Sequence, residues 1–104
     1  MIALNNQQFH HYVKESGQYT LVEFWAPWCV YCRRIIPALE KVSQEHAGDL
    51  VVGKVNIDDD PLLAQQEGIE VIPTLILYKD GKALGSVVAP ESKAAIEAFL
   101  QENR

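Results

Sequence analysis

The chain has 104 residues, 48% of them apolar and 22% charged, the size and composition of one compact domain that can bury a core without a metal or a structural disulfide. A formal net charge of -5 with no run of lysine or arginine excludes the surfaces that neutralise nucleic-acid phosphates or anchor to anionic lipid. The opening stretch MIALNNQQFHHYVKESG has neither a basic leader nor a long apolar run, so the cytoplasm is the expected compartment.

In chain order, Ile2 to Leu4 reads as a weak first strand. Phe9, Tyr12 and Val13 then share a helical face behind the candidate caps Asn5 and Asn6, and Gly17 closes that helix. YTLVEFW, residues 19 to 25, is apolar on both alternating faces except at Glu23, the pattern of a central strand covered on both sides; the competing reading is an edge strand with Glu23 in water. From Cys29 to about His46, the residues Ile35, Leu39, Val42 and His46 recur at helical spacing, with Gly48 just beyond. Pro37 lies inside that segment and should kink it, because its ring removes an amide donor and crowds the carbonyl one turn back.

LVVGKVNI, residues 50 to 57, predicts a second long strand. Asp60 and Pro61 supply an N-cap and a first-turn proline for a short helix through Leu62 and Leu63, which Gly68 ends. TLILYKDGKALGSVV, residues 74 to 88, holds Asp80-Gly81 between two apolar runs and predicts an antiparallel hairpin. Ser92 caps a last helix with Ala95, Ile96, Phe99 and Leu100 on one stripe and Glu97, Gln101 and Glu102 toward solvent. The order βαβαβ then αββα predicts an α/β fold over residues 1 to 104, a mixed sheet with helices on both faces.

The chemistry concentrates in EFWAPWCVYCRR, residues 23 to 34, where Cys29 and Cys32 could be a redox couple, half a metal site or two core thiols. Without a secretory leader, a C-x-x-C pair reads as redox or metal chemistry before it reads as a staple. The pair sits where a buried strand gives way to a helix, which puts Cys29 at the helix N-terminus and Cys32 one turn on. An ordinary thiol is only about 3% ionised at pH 7, and the free amides and positive dipole end of a helix N-terminus enlarge that fraction. Cys29 is thus the candidate attacking thiolate, and Cys32 the thiol that resolves the mixed disulfide.

FWAPWCVYC, Pro37 five residues after the second cysteine, VNIDDDP, VIPT and the KDG hairpin together resemble the thioredoxin family, in the same order and over essentially the whole chain. The resemblance implies a monomeric dithiol-disulfide oxidoreductase of thioredoxin fold that reduces protein disulfides through a transient link to Cys29. It implies no cofactor for the exchange itself, and recharging by a flavin-dependent reductase that uses NADPH. Pro73 matches the family's cis-proline, with Ile72 offering its backbone to an extended substrate segment. Trp28 would flank the groove and Trp25 would pack beneath the active-site turn.

Glu23 stands where the family usually has a buried aspartate, with Lys54 as its partner, and a carboxyl group in an apolar strand should have a raised pKa that suits it to take the proton of Cys32. Val30 and Tyr31 replace the usual Gly-Pro, and the tyrosine before the second cysteine is more like glutaredoxin, so the reduction potential should differ from that of an ordinary relative. Ala89 replaces a common glycine and adds a methyl beside the groove.

Other readings compete. Cys29 and Cys32 of two chains could jointly hold an iron-sulfur cluster or zinc, since one chain offers only two thiolates; or the fold could serve as a partner surface with incidental cysteines. No metal site is expected elsewhere: His10, His11 and His46 are scattered, and Asp58, Asp59 and Asp60 lack the later ligands and glycine of a calcium loop. Taken alone, Lys54, Arg33 and Arg34 are solvated charges, and Trp25 and Trp28 ordinary aromatics.

Overall fold

The computed structural model describes residues 1–104. Five strands, β1 (Ile2–Ala3), β2 (Tyr19–Trp25), β3 (Leu50–Asn56), β4 (Thr74–Lys79) and β5 (Lys82–Val88), form one sheet in the order β1-β3-β2-β4-β5. β1 and β2 run parallel to β3, while β4 is antiparallel to both β2 and β5, so the mixed sheet and helix-covered faces match expectation. The helices are α1 (Asn6–His10), α2 (Val30–Arg34), α3 (Ile36–Glu45), α4 (Pro61–Gln66) and α5 (Lys93–Asn103). None is long and apolar enough to cross a membrane.

Strand alternation sorts β2 onto two cores. Leu21 joins Leu39, Val42, Leu75, Leu77, Ile96, Phe99 and Leu100 beneath α3 and α5. Val22 and Phe24 join Phe9, Val13, Val55, Leu63, Ile76 and Tyr78 beneath α1 and α4. Glu23, two residues after Leu21, therefore lies on the α3/α5 side. β2 is the middle strand, so the edge-strand reading of Glu23 fails: its side chain is 0% exposed.

The helices depart from the sequence reading in instructive ways. The expected kinked helix from Cys29 to His46 is two helices that meet at Ile35, with Pro37 in the first turn of α3, where its missing N–H is no loss. Asn5 alone caps α1, in a reciprocal box with Gln8 (Asn5 Oδ1 accepts at 2.8 Å, Gln8 Oε1 at 3.0 Å), and Asn6 is already helical. α1 then widens into a π-turn over His11–Glu15, and Tyr12 is only half-buried. Asp60 precedes α4 but its side chain caps nothing, so Pro61 alone starts that helix. Ser92 does cap α5, accepting from the Ala95 N–H at 3.1 Å. Glu97, expected in solvent, is partly covered and pairs with His46 Nε2 at 3.0 Å, tying α5 to the end of α3. Lys93 reinforces that seam by binding Glu45 at 2.7 Å, a contact that lowers the pKa of Glu45 and raises that of Lys93.

Gly53 leaves room on β3 for the Leu4 side chain that follows β1, since a Cβ there would fall 2.5 Å from Leu4 Cδ1 and force that side chain to shift.

Candidate active site

β2 delivers the chain to the site. After Trp25, buried Ala26 turns and its carbonyl accepts the Cys29 N–H at 3.1 Å. Cys29 keeps an extended backbone (φ -87°, ψ 105°) and is the N-cap of α2, its Sγ accepting the Cys32 N–H at 3.2 Å. The two cysteines are joined in a disulfide. They differ in access: Cys29 is half-exposed and Cys32 is fully buried. An incoming group therefore meets Cys29 first.

Trp28 flanks this turn with 66% of its surface exposed, yet it is not loose: its indole N–H donates to both carboxylate oxygens of Asp58, at 3.0 and 3.3 Å. Sequence reasoning missed Asp58, having weighed the three aspartates only as a calcium loop and set them aside. The contact spans 30 residues, and no local pattern announces it. Trp25 is half-buried, with the Lys54 ammonium 4.9 Å from its ring centre.

Glu23 pairs with Lys54 across the β2–β3 ladder, but neither carboxylate oxygen of Glu23 has a hydrogen-bond partner. The expected partnership is thus one of field rather than contact, because the lysine lies over Trp25. Burial pushes the Glu23 carboxyl up from 4.5 to about 8, and the positive charge of Lys54 only partly opposes this.

The other wall comes from two loops. The Ile72–Pro73 peptide bond is cis, Pro73 is buried and Ile72 half-buried. Thr74, the next residue, pairs with Phe24 of β2, and this register brings Pro73 to the end of the sheet from which the cysteine turn departs. Ala89 follows β5 with a left-handed φ of +46°, and its N–H donates to the Pro73 carbonyl at 2.9 Å. Of the two residues between the cysteines, Val30 is 55% exposed at the rim, whereas Tyr31 turns inward, half-buried against the α3/α5 core, and donates its hydroxyl to the Pro90 carbonyl at 2.9 Å. Tyr31 was expected among the groove residues; its polar end is instead engaged by the fold. No three His, Cys, Asp or Glu side chains converge as a metal site.

The chain matches the thioredoxin family model over residues 1–102. It is 39% identical over 103 residues to a thioredoxin of Buchnera aphidicola subsp. Acyrthosiphon pisum, an alignment covering 99% of this chain and 95% of that protein. It is 38% identical over 101 residues to thioredoxin 1 of Synechococcus elongatus (97% and 94% covered) and 41% identical over 100 residues to a thioredoxin of Acidithiobacillus ferridurans (96% and 93% covered). With a matching fold and a disulfide at the start of α2, the chain belongs to the thioredoxin family, as a thiol-disulfide oxidoreductase whose redox pair is Cys29–Cys32.

Proposed function

We propose that the chain reduces disulfides of partner proteins in two displacements. The Cys29 thiolate attacks one sulfur of the substrate disulfide, forming a mixed disulfide and expelling the other sulfur as a thiolate that takes up a proton. The Cys32 thiol then gives its proton to the ionised Glu23 carboxylate and attacks Cys29 Sγ, releasing the second substrate thiolate and closing Cys29–Cys32. Two electrons pass to the substrate. The observation that carries this order is the unequal access of the two sulfurs, one at the surface and one buried.

With a pKa of about 8, Glu23 is ionised in roughly a tenth of molecules at pH 7, enough to accept a proton without holding a full buried charge. Lys54 tunes that fraction. Substrate binds across Trp28, Val30 and the Ile72 backbone, with Ala89 setting how close it comes. The oxidised chain is recharged by a flavin-dependent reductase drawing on NADPH, in the cytoplasm. Because Val30 and Tyr31 stand in place of Gly-Pro, the couple is less reducing than that of a typical relative; equilibration with glutathione measures this, and a potential at or below that of a Gly-Pro relative refutes it.

The order of attack is tested with Cys32→Ser and Cys29→Ser variants, reduced and mixed with insulin. The first should accumulate a stable mixed disulfide through Cys29 and the second none; a covalent adduct through Cys32 instead would overturn the assignment.

A further inference from the structure

Two hydrogen bonds stitch together the three segments around Cys29. The Tyr31 hydroxyl holds the Pro90 carbonyl at 2.9 Å, and the N–H of Ala89, one residue earlier, holds the Pro73 carbonyl at 2.9 Å. Pro90 is buried, and the tyrosine is the only hydrogen-bond donor to its carbonyl. Between these anchors sits Ala89 at φ +46°, a conformation in which its methyl group crowds the backbone and which alanine leaves when free to do so. Something must hold it there, and the bond from Tyr31 is the only one that ties residues 89 and 90 to the cysteine helix α2.

We propose that Tyr31 is a positioning residue for substrate: its phenol, acting through Pro90, keeps Ala89 left-handed, and Ala89 in turn fixes the Pro73 carbonyl and the Ile72 backbone on which an extended protein segment docks. The proposal rests on the reductase reading above and goes beyond it in giving the inter-cysteine tyrosine a task distinct from tuning the sulfurs. A protein disulfide needs that docking edge. A small aromatic disulfide needs only access to Cys29.

The test compares second-order rates of the reduced protein with insulin and with 5,5'-dithiobis(2-nitrobenzoate), for wild type, Tyr31→Phe, Ala89→Gly and the double variant. Phenylalanine keeps the ring and deletes the one bond. Tyr31→Phe should lower the insulin rate about tenfold more than the small-disulfide rate, the low end of the effect of leaving a buried acceptor unpaired. In the Ala89→Gly background most of that extra loss should vanish, because glycine takes φ +46° without restraint. An equal fall with both probes, no fall with either, or a Tyr31→Phe penalty that persists in full beside glycine overturns the role of Tyr31. A wild-type protein inert to both probes overturns the reductase reading itself, and this inference with it.

Discussion

The two ends of the β2–β4–β5 sheet follow opposite rules. At the hairpin end, the residues with left-handed backbone are Asp80 and Gly81 (φ +53° and +82°), the types that tolerate it best, and the Gly81 N–H is satisfied by the Val13 carbonyl at 2.9 Å. Lys79 there binds the Gly17 carbonyl at 2.5 Å and covers the Tyr19 ring. At the cysteine end, the left-handed residue is an alanine, a carboxyl group lies buried with no hydrogen bond, and an indole stands 66% exposed. Local rules are kept where the sheet only has to turn and broken where it has to react, which is where a fold accepts strain in return for chemistry.

The comparison breaks most completely at residue 29. Cys29→Ser removes the only accessible sulfur, and insulin reduction should fall at least about 10³-fold, the scale seen when a nucleophile is deleted. Thermal or urea unfolding of the reduced proteins should meanwhile show nearly equal stabilities. Retention of more than about a tenth of the activity would mean that Cys32 can substitute.

Glu23→Gln should produce the largest effect on stability, and one that depends on pH. The folded chain keeps the Glu23 proton up to about pH 8, whereas the unfolded chain releases it near 4.5. The unfolded state therefore binds fewer protons across that window, so the stability that a neutral Glu23 permits is fully present below pH 4.5 and is lost as pH rises through 8. Glutamine cannot ionise. In the disulfide form, the variant should match wild type at pH 4 and exceed it above pH 8 by on the order of 5 kcal/mol, read from urea midpoints. A constant difference at all pH values would show that the carboxyl does not titrate late.

At the hairpin end the contrary substitution is informative. Gly81→Ala places a Cβ 3.6 Å from Lys14 Cγ, an ordinary contact, so only the left-handed backbone is penalised. The left-handed penalty of about 1–2 kcal/mol, less the about 0.4–1 regained because alanine restricts the unfolded chain, should leave a net cost of about 0.5–1 kcal/mol and disulfide exchange at the far end of the sheet unchanged.

Legibility in the sequence follows the same division. The succession of elements along the chain, the Asp80-Gly81 turn, the Ser92 cap and the buried central position of Glu23 were all readable, because period, turn chemistry and apolar flanks are local signals. The break at Ile35 was not: proline marks a disruption, but only packing decides between a kink and a restart. The cysteine pair announced itself by spacing. Its supports did not, since Trp28 to Asp58 spans 30 residues, Tyr31 to Pro90 spans 59, and Lys54 chose the Trp25 ring over the carboxyl it faces in register. A hydroxyl or an ammonium within reach of several acceptors is assigned by tertiary geometry, which no window of sequence contains.

The smallest expected effect sharpens the contrast most. If Ala89 is held against its own preference, Ala89→Gly should stabilise the protein even though glycine raises the entropy of the unfolded chain. Relief of a left-handed alanine is worth about 1–2 kcal/mol and the added unfolded-state freedom takes back about 0.4–1, leaving a net gain of about 0.5 kcal/mol. The same substitution at an ordinary position such as Ala94, exposed in α5, has no strain to relieve and should destabilise by about 1 kcal/mol. Opposite signs for the two alanines, measured by urea unfolding under one set of conditions, would locate the strain at the cysteine end. Equal signs would mean that residue 89 is at ease there, and that this end of the sheet obeys the same rules as the hairpin.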